Sequence, residues 1–112
     1  MNQTFRYMEI EIAHVSEIEI KEIEPECNLT DEVLERYAGR YRVIITDINQ
    51  VDVKYLIDEI TGTIMLFDSY LHILNHYGKQ GWQVVSFERH SSSTDFINNY
   101  IKVLLCKSAV CI

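Results

Sequence analysis

The sequence predicts an α+β fold: an antiparallel sheet of about six or seven strands with two short helices packed on one face. Three observations carry that expectation. Apolar and acidic residues alternate through MEIEIAHVSEIEI, β-branched runs bounded by turn residues recur through the rest of the chain, and two segments space their apolar residues at helical intervals. A chain of 112 residues, 47% hydrophobic and 24% charged, has the length and composition of one soluble globular domain covering 1–112.

In the first segment Met8, Ile10, Ile12, Ile18 and Ile20 hold even positions and Glu9, Glu11, Glu17 and Glu19 odd ones. An acidic strand region over 1–24, with one dry and one wet face, is therefore expected. A hairpin turning at His14 to Ser16, which sets Glu11 opposite Glu19, keeps this phase, and so does one long bent strand. The hairpin is preferred because strands seldom exceed about ten residues. Pro25 ends the pattern. LTDEVLERYAG supplies the first helix, with Thr30 as N-cap, Leu29 and Leu34 as a hydrophobic staple and Gly39 at the stop. RYRVIITDI and VDVKYLID read as strands joined around Asp47 to Gln50, and Thr61 with Gly62 as a reversal into a further strand, TIMLFD. A helix from Val53 to Ile60 is a competing reading of the same stretch. The second helix takes Asp68 as N-cap, puts Tyr70, Ile73, Leu74 and Tyr77 on one face and ends at Gly78. WQVVSFE and YIKVLLCK carry apolar residues at both parities, the pattern of central strands covered on both faces.

Charge is distributed unevenly. The first 35 residues hold ten acids and two bases, whereas the other 77 hold seven acids and eight bases, so the net −7 belongs to the N-terminal third. Direct nucleic-acid binding is disfavoured, because neutralising phosphates needs clustered Lys and Arg. No apolar run approaches the ~20 residues of a membrane helix, and MNQTFRYMEIE lacks the basic and apolar regions of a signal peptide. Cys27, Cys106 and Cys111 have neither metal-binding nor redox spacing. The expectation is a cytoplasmic protein without cofactor or membrane association.

The stretch LNHYGKQGWQVVSF, followed after a polar loop by YIKVLLCK, contains a Leu74-Asn75 pair, a Gly78-x-x-Gly81-Trp82 junction and a basic Lys107 at the end of the last strand. In this order residues 69–107 resemble the small bacterial and phage domains of the DUF4177 type. That resemblance implies a helix, a tight junction and two strands, and no particular reaction. Read from the residues alone, Gly78 is a helix cap, Gly81 the turn onto the sheet and Trp82 a large anchor against the helix.

Candidate chemistry is sparse. Asp68, His72 and His76 follow an i, i+4, i+8 spacing that can hold a divalent metal, but no HExxH motif or cysteine pair reinforces it. The hydroxyl run Ser91 to Thr94 beside His90 lacks the G-x-S-x-G turn that holds a nucleophile rigid. No catalytic or metal-ligating residue is assigned. Two binding surfaces are. Glu9, Glu11, Glu17, Glu19 and Glu22 form an acidic face, and like charges opposed on a sheet are costly unless they serve solubility, edge protection or a basic partner. As the alternative, Arg36, Tyr37, Arg40, Tyr41 and Arg42, with Trp82, suit an anionic nucleotide-like ligand. The expected function is a non-catalytic protein–protein interaction module, of phage or bacterial accessory or inhibitor type, with a basic protein as partner. Because two short helices cover only one sheet face, a homodimer or higher homo-oligomer is also expected.

Overall fold

Alternation of apolar and acidic residues makes the first segment a strand as far as His14, where the chain turns instead into a helix. In the computed structural model, which describes residues 3–26, 28–46, 54–90 and 99–110, β1 (Gln3–His14) is the middle strand of a five-stranded antiparallel sheet. On one side it pairs with β2 (Tyr41–Thr46), which carries the two-residue β3 (Lys54–Tyr55); on the other with β5 (Tyr100–Val110), which carries β4 (Gln83–His90). The strand order is β3-β2-β1-β5-β4.

The register explains the core. Ile10 stands between Ile45 and Val103, and Ile12 between Val43 and Ile101. These residues share one face because opposed side chains in antiparallel strands point the same way. Helix α3 (Tyr70–Gly78) lies over that face, with Ile73 and Tyr77 buried in one cluster with Ile10, Ile12, Val43, Phe67, Val103 and Leu105. A second cluster joins Ile20 of α1 (Glu17–Ile23) to Val33 and Tyr37 of α2 (Asp31–Tyr37), with Leu29 and Leu34 packed against it.

Several expectations need correction. The sheet has five strands among the described residues, not six or seven, and there are three helices, not two. Residues 17–23 are neither the second arm of a hairpin nor the end of a long strand. Ser16 and Glu19 close a reciprocal capping box, Glu19 N donating to Ser16 Oγ at 3.2 Å and Ser16 N to the Glu19 carboxylate at 3.3 Å. The TIMLFD segment contributes isolated bridges, Ile57 with Ile64 and Tyr41 with Phe67, and no named strand. The turn before it does form, with Gly62 at φ +71 and its N–H donating to Asp58 O. Nor do the helices share one face. From α1, Glu19 reaches Arg42 and Tyr55, whose register positions put them on the face opposite α3.

The expectation that both last strands are central fails for β4. It is an edge strand exposed over most of its length, with Val84, Val85 and Phe87 in solvent, whereas β5 is interior and buries Val103 and Leu105. At the helix-to-strand junction the N-cap of α3 is Ser69 rather than Asp68, and Gly78 is still helical. The residue that takes the left-handed conformation is Gly81, at φ +91. Trp82 follows it, half-buried against the main core, with its N–H on Tyr77 O at 3.1 Å.

Candidate functional site

The five glutamates expected to form one acidic face are divided by the fold. Glu11 and Glu19 converge on Arg42, which is itself buried: Arg42 Nε lies 2.7 Å from Glu19 Oε2 and Nη2 lies 3.3 Å from Glu11 Oε2, while Nη1 donates to Glu11 O. Tyr55 donates its hydroxyl to the same Glu19 oxygen at 3.1 Å. Burial, and then the Glu19 charge beside it, push the Tyr55 phenol up to about 12. Glu9 accepts from Thr46 Oγ1 and sits 3.8 Å from Lys102 Nζ. These three carboxylates hold the sheet and α1 together, leaving Glu17 and Glu22 exposed on α1.

A different acidic surface results. Glu17, Glu22, Glu26, Asp31, Glu32 and Glu35 are all exposed on α1, α2 and the turn between them, and none has an ion-pair partner among the described residues. Glu24 is partly neutralised by Arg36 at 3.7 Å. Over residues 17–37 eight acids face two bases, so the charge survives internal pairing as a local field at the β2–β3 side of the sheet.

The arginine–tyrosine cluster is not brought together. Arg36 pairs with Glu24, Arg40 with Asp68 at 3.8 Å, and Arg42 with Glu11 and Glu19. Tyr37 is buried in the second cluster. Tyr41 stacks on His14 and meets Tyr70 at a tilt, at centroid distances of 4.2 and 4.5 Å. Trp82 belongs to the main core cluster, which contains none of the arginines. Asp68, His72 and His76 do line a common depression of about 430 Å³ beside α3, but Asp68 precedes the helix and turns to Arg40, and His76 contacts Gln80. Among the described residues no three His, Cys, Asp or Glu side chains are grouped to hold a metal ion. Cys106 is a free thiol; Cys27, Cys111 and the hydroxyl run 91–94 lie outside the described residues. No helix among the described residues is long and apolar enough to cross a membrane.

Two surfaces went unread in the sequence. Among the described residues the outer edge of β4 has no strand beside it, and the bulge between Val84 and Ser86 leaves the exposed Val85 outside the pairing with β5. At one end of the sheet Arg6 opposes Lys107, whose Nζ lies 5.7 Å from the Trp82 ring centroid. The first was hidden because apolar residues at both parities look the same in a central strand and in an exposed edge strand. The second was hidden because Arg6 and Lys107 are 101 positions apart. Comparison with family models, with curated proteins and with solved structures finds no match.

Proposed function

We propose that this protein is a non-catalytic interaction module of accessory or inhibitor type, which dimerises through β4 and offers the acidic α1–α2 end to a basic protein partner. The observation that carries this reading is the separation of two unsatisfied surfaces. The open strand with exposed Val84, Val85 and Phe87 is one edge of the sheet, and the unneutralised carboxylates gather near the other, so neither contact occludes the other.

Self-pairing of β4 is supported by its register. If two copies pair antiparallel about a twofold axis, Gln83 can oppose Glu88, Val84 oppose Phe87 and Val85 oppose Ser86. Within the sheet Val84 and Phe87 pair with Leu105 and Val103 on the α3 face, and Gln83 and Glu88 pair with Cys106 and Lys102 on the reverse. The Val84–Phe87 and Gln83–Glu88 pairs therefore each lie on one face, as antiparallel pairing requires. An acidic surface left free by the dimer steers a basic partner and makes its binding salt-dependent. The order α3, Gly81, Trp82, β4, β5 supports kinship with DUF4177-type domains, and the free Cys106 suits a reducing, cytoplasmic setting.

The test has two arms. Light scattering on the 13.2 kDa chain is expected to give about twice that mass, falling to the single mass in Phe87→Glu; the single mass for wild type across a tenfold dilution would remove the dimer. Affinity capture from a bacterial lysate, with mass-spectrometric identification, is expected to retain a basic protein that is lost on combining Glu17→Gln, Glu22→Gln, Glu32→Gln and Glu35→Gln. Retention of the same proteins by both forms would end the acidic-surface reading.

A further inference from the structure

We infer that the chain carries a binding site for a nucleoside monophosphate, built by Arg6, Lys107 and Trp82 at the end of the sheet. The inference is independent of the acidic surface and of the β4 edge.

The three side chains form a row across three strands. Arg6 is directly opposite Lys107. Gln83 opposes Cys106, so Trp82, one residue earlier, falls beside Lys107, in agreement with the 5.7 Å between Lys107 Nζ and the indole centroid. Arg6 has the parity of Met8 and Ile10, and Lys107 that of Leu105 and Val103, so the row faces the same side as the main core and is the next one after Met8 and Leu105. Two strand spacings, about 10 Å, separate its ends at the backbone. The Lys107 stem passes beside Gly81, where an added Cβ would lie 3.5 Å from Lys107 Cε.

A guanidinium directly opposite an ammonium is an unfavourable pair on a sheet, and among the described residues only the Trp82 ring, beside the Lys107 ammonium, offsets part of it. Neither Arg6 nor Lys107 has an ion-pair partner there, and the nearby Glu9 is already engaged by Lys102 and Thr46. Arg6 and Trp82 line an open cleft of about 480 Å³ with Tyr7, Met8, Glu9, Ile45, Thr46 and Leu104, and Lys107 lies outside that lining, on the Trp82 ring. One anion between the two cations satisfies both, with the planar guanidinium suited to two phosphate oxygens. The part of the indole that borders the cleft, outside its contacts with the core and Lys107, supplies an apolar surface for a flat base. A single phosphate fits better than a polyanion because the chain as a whole is acidic.

Trp82 is the sole tryptophan, so its fluorescence reports on the site directly. Titrating the full chain with AMP is expected to give a saturable change, with adenosine and inorganic phosphate each binding about tenfold more weakly or worse, because each supplies half of the recognition. Arg6→Gln combined with Lys107→Gln is expected to weaken AMP about tenfold or more while leaving the circular dichroism as in wild type and the melting temperature no lower, because a like-charge pair is removed. Isothermal calorimetry on the same samples checks that the optical change is binding. No saturation with AMP, equal affinity for AMP and adenosine, equal affinity for AMP and inorganic phosphate, or undiminished AMP binding by the folded double variant would each overturn the assignment.

Discussion

Replacing Arg42 by Met tests whether the glutamates at the sheet–α1 junction are structural or free for a partner. The guanidinium side chain is 8% exposed and holds Glu19 at 2.7 Å and Glu11 at 3.3 Å, side chains that are themselves 16% and 21% exposed. Met keeps the apolar stem but removes the charge, leaving two carboxylates near each other with only the neutral donors of Ser16 and Tyr55 still on Glu19. Removing one partner of a buried ion pair costs about 3–5 kcal/mol; the residual exposure of Glu11 puts Arg42→Met at the lower end, about 3 kcal/mol. With a urea dependence of about 2 kcal/mol per molar for a small domain, the unfolding midpoint falls by about 1.5 M. The assay is urea denaturation followed by Trp82 fluorescence and far-UV dichroism, at one protein concentration because the proposed β4 pairing would make stability depend on it. Lys102→Met is the internal control: its 3.8 Å contact with Glu9 joins side chains 37% and 43% exposed and is worth below about 1 kcal/mol. Adding Glu19→Gln to Arg42→Met is expected to recover part of the loss by removing one of the two stranded charges. If Arg42→Met costs no more than Lys102→Met, the buried clamp does not exist and Glu11 and Glu19 return to the partner-facing surface.

Two further outcomes follow from local structure. Ser16→Ala removes the hydroxyl that accepts from Glu19 N and donates to Glu19 Oε1, leaving only the Ser16 N bond of the capping box, and is expected to cost about 1 kcal/mol in the same denaturation assay; unchanged stability would mean that α1 does not need its cap. Alkaline pH is expected to unfold the protein through its phenols. Tyr55 and Tyr77 are both raised from 10.0 to about 12, mainly by burial, so the fold favours their neutral forms. Their contribution is complete below pH 10 and is lost as pH rises toward 12. Phenolate absorbance should resolve late-titrating groups among the seven tyrosines, with one fewer in Tyr55→Phe. Ionisation of all seven near pH 10 with native dichroism retained would contradict this.

Much of the local structure was legible because short-range chemistry decides it. The parity of Met8, Ile10 and Ile12 marks the buried face of β1, Thr30 caps α2 as its side chain allows, Gly62 takes the positive φ of its turn, and Ile73 with Tyr77 forms the buried face of α3. Even the helix at 17–23 had a local sign, the Ser16-x-x-Glu19 box, obscured by an alternation of Glu and Ile that fits a strand equally well. What settled it was distant: Ile20 buries against Val33 and Tyr37, and Glu19 meets Arg42, 23 positions on. Periodicity tells which face of a strand is dry but not which strand lies beside it. Pairing of β1 with β5 therefore put the apolar β4 at an exposed edge, spread the arginines of 36–42 among separate carboxylates, and set Arg6 opposite Lys107. The sequence by itself determined the caps, turns and dry faces; the long-range register, which no local pattern encodes, decided which charges are consumed inside the fold and which surfaces remain open.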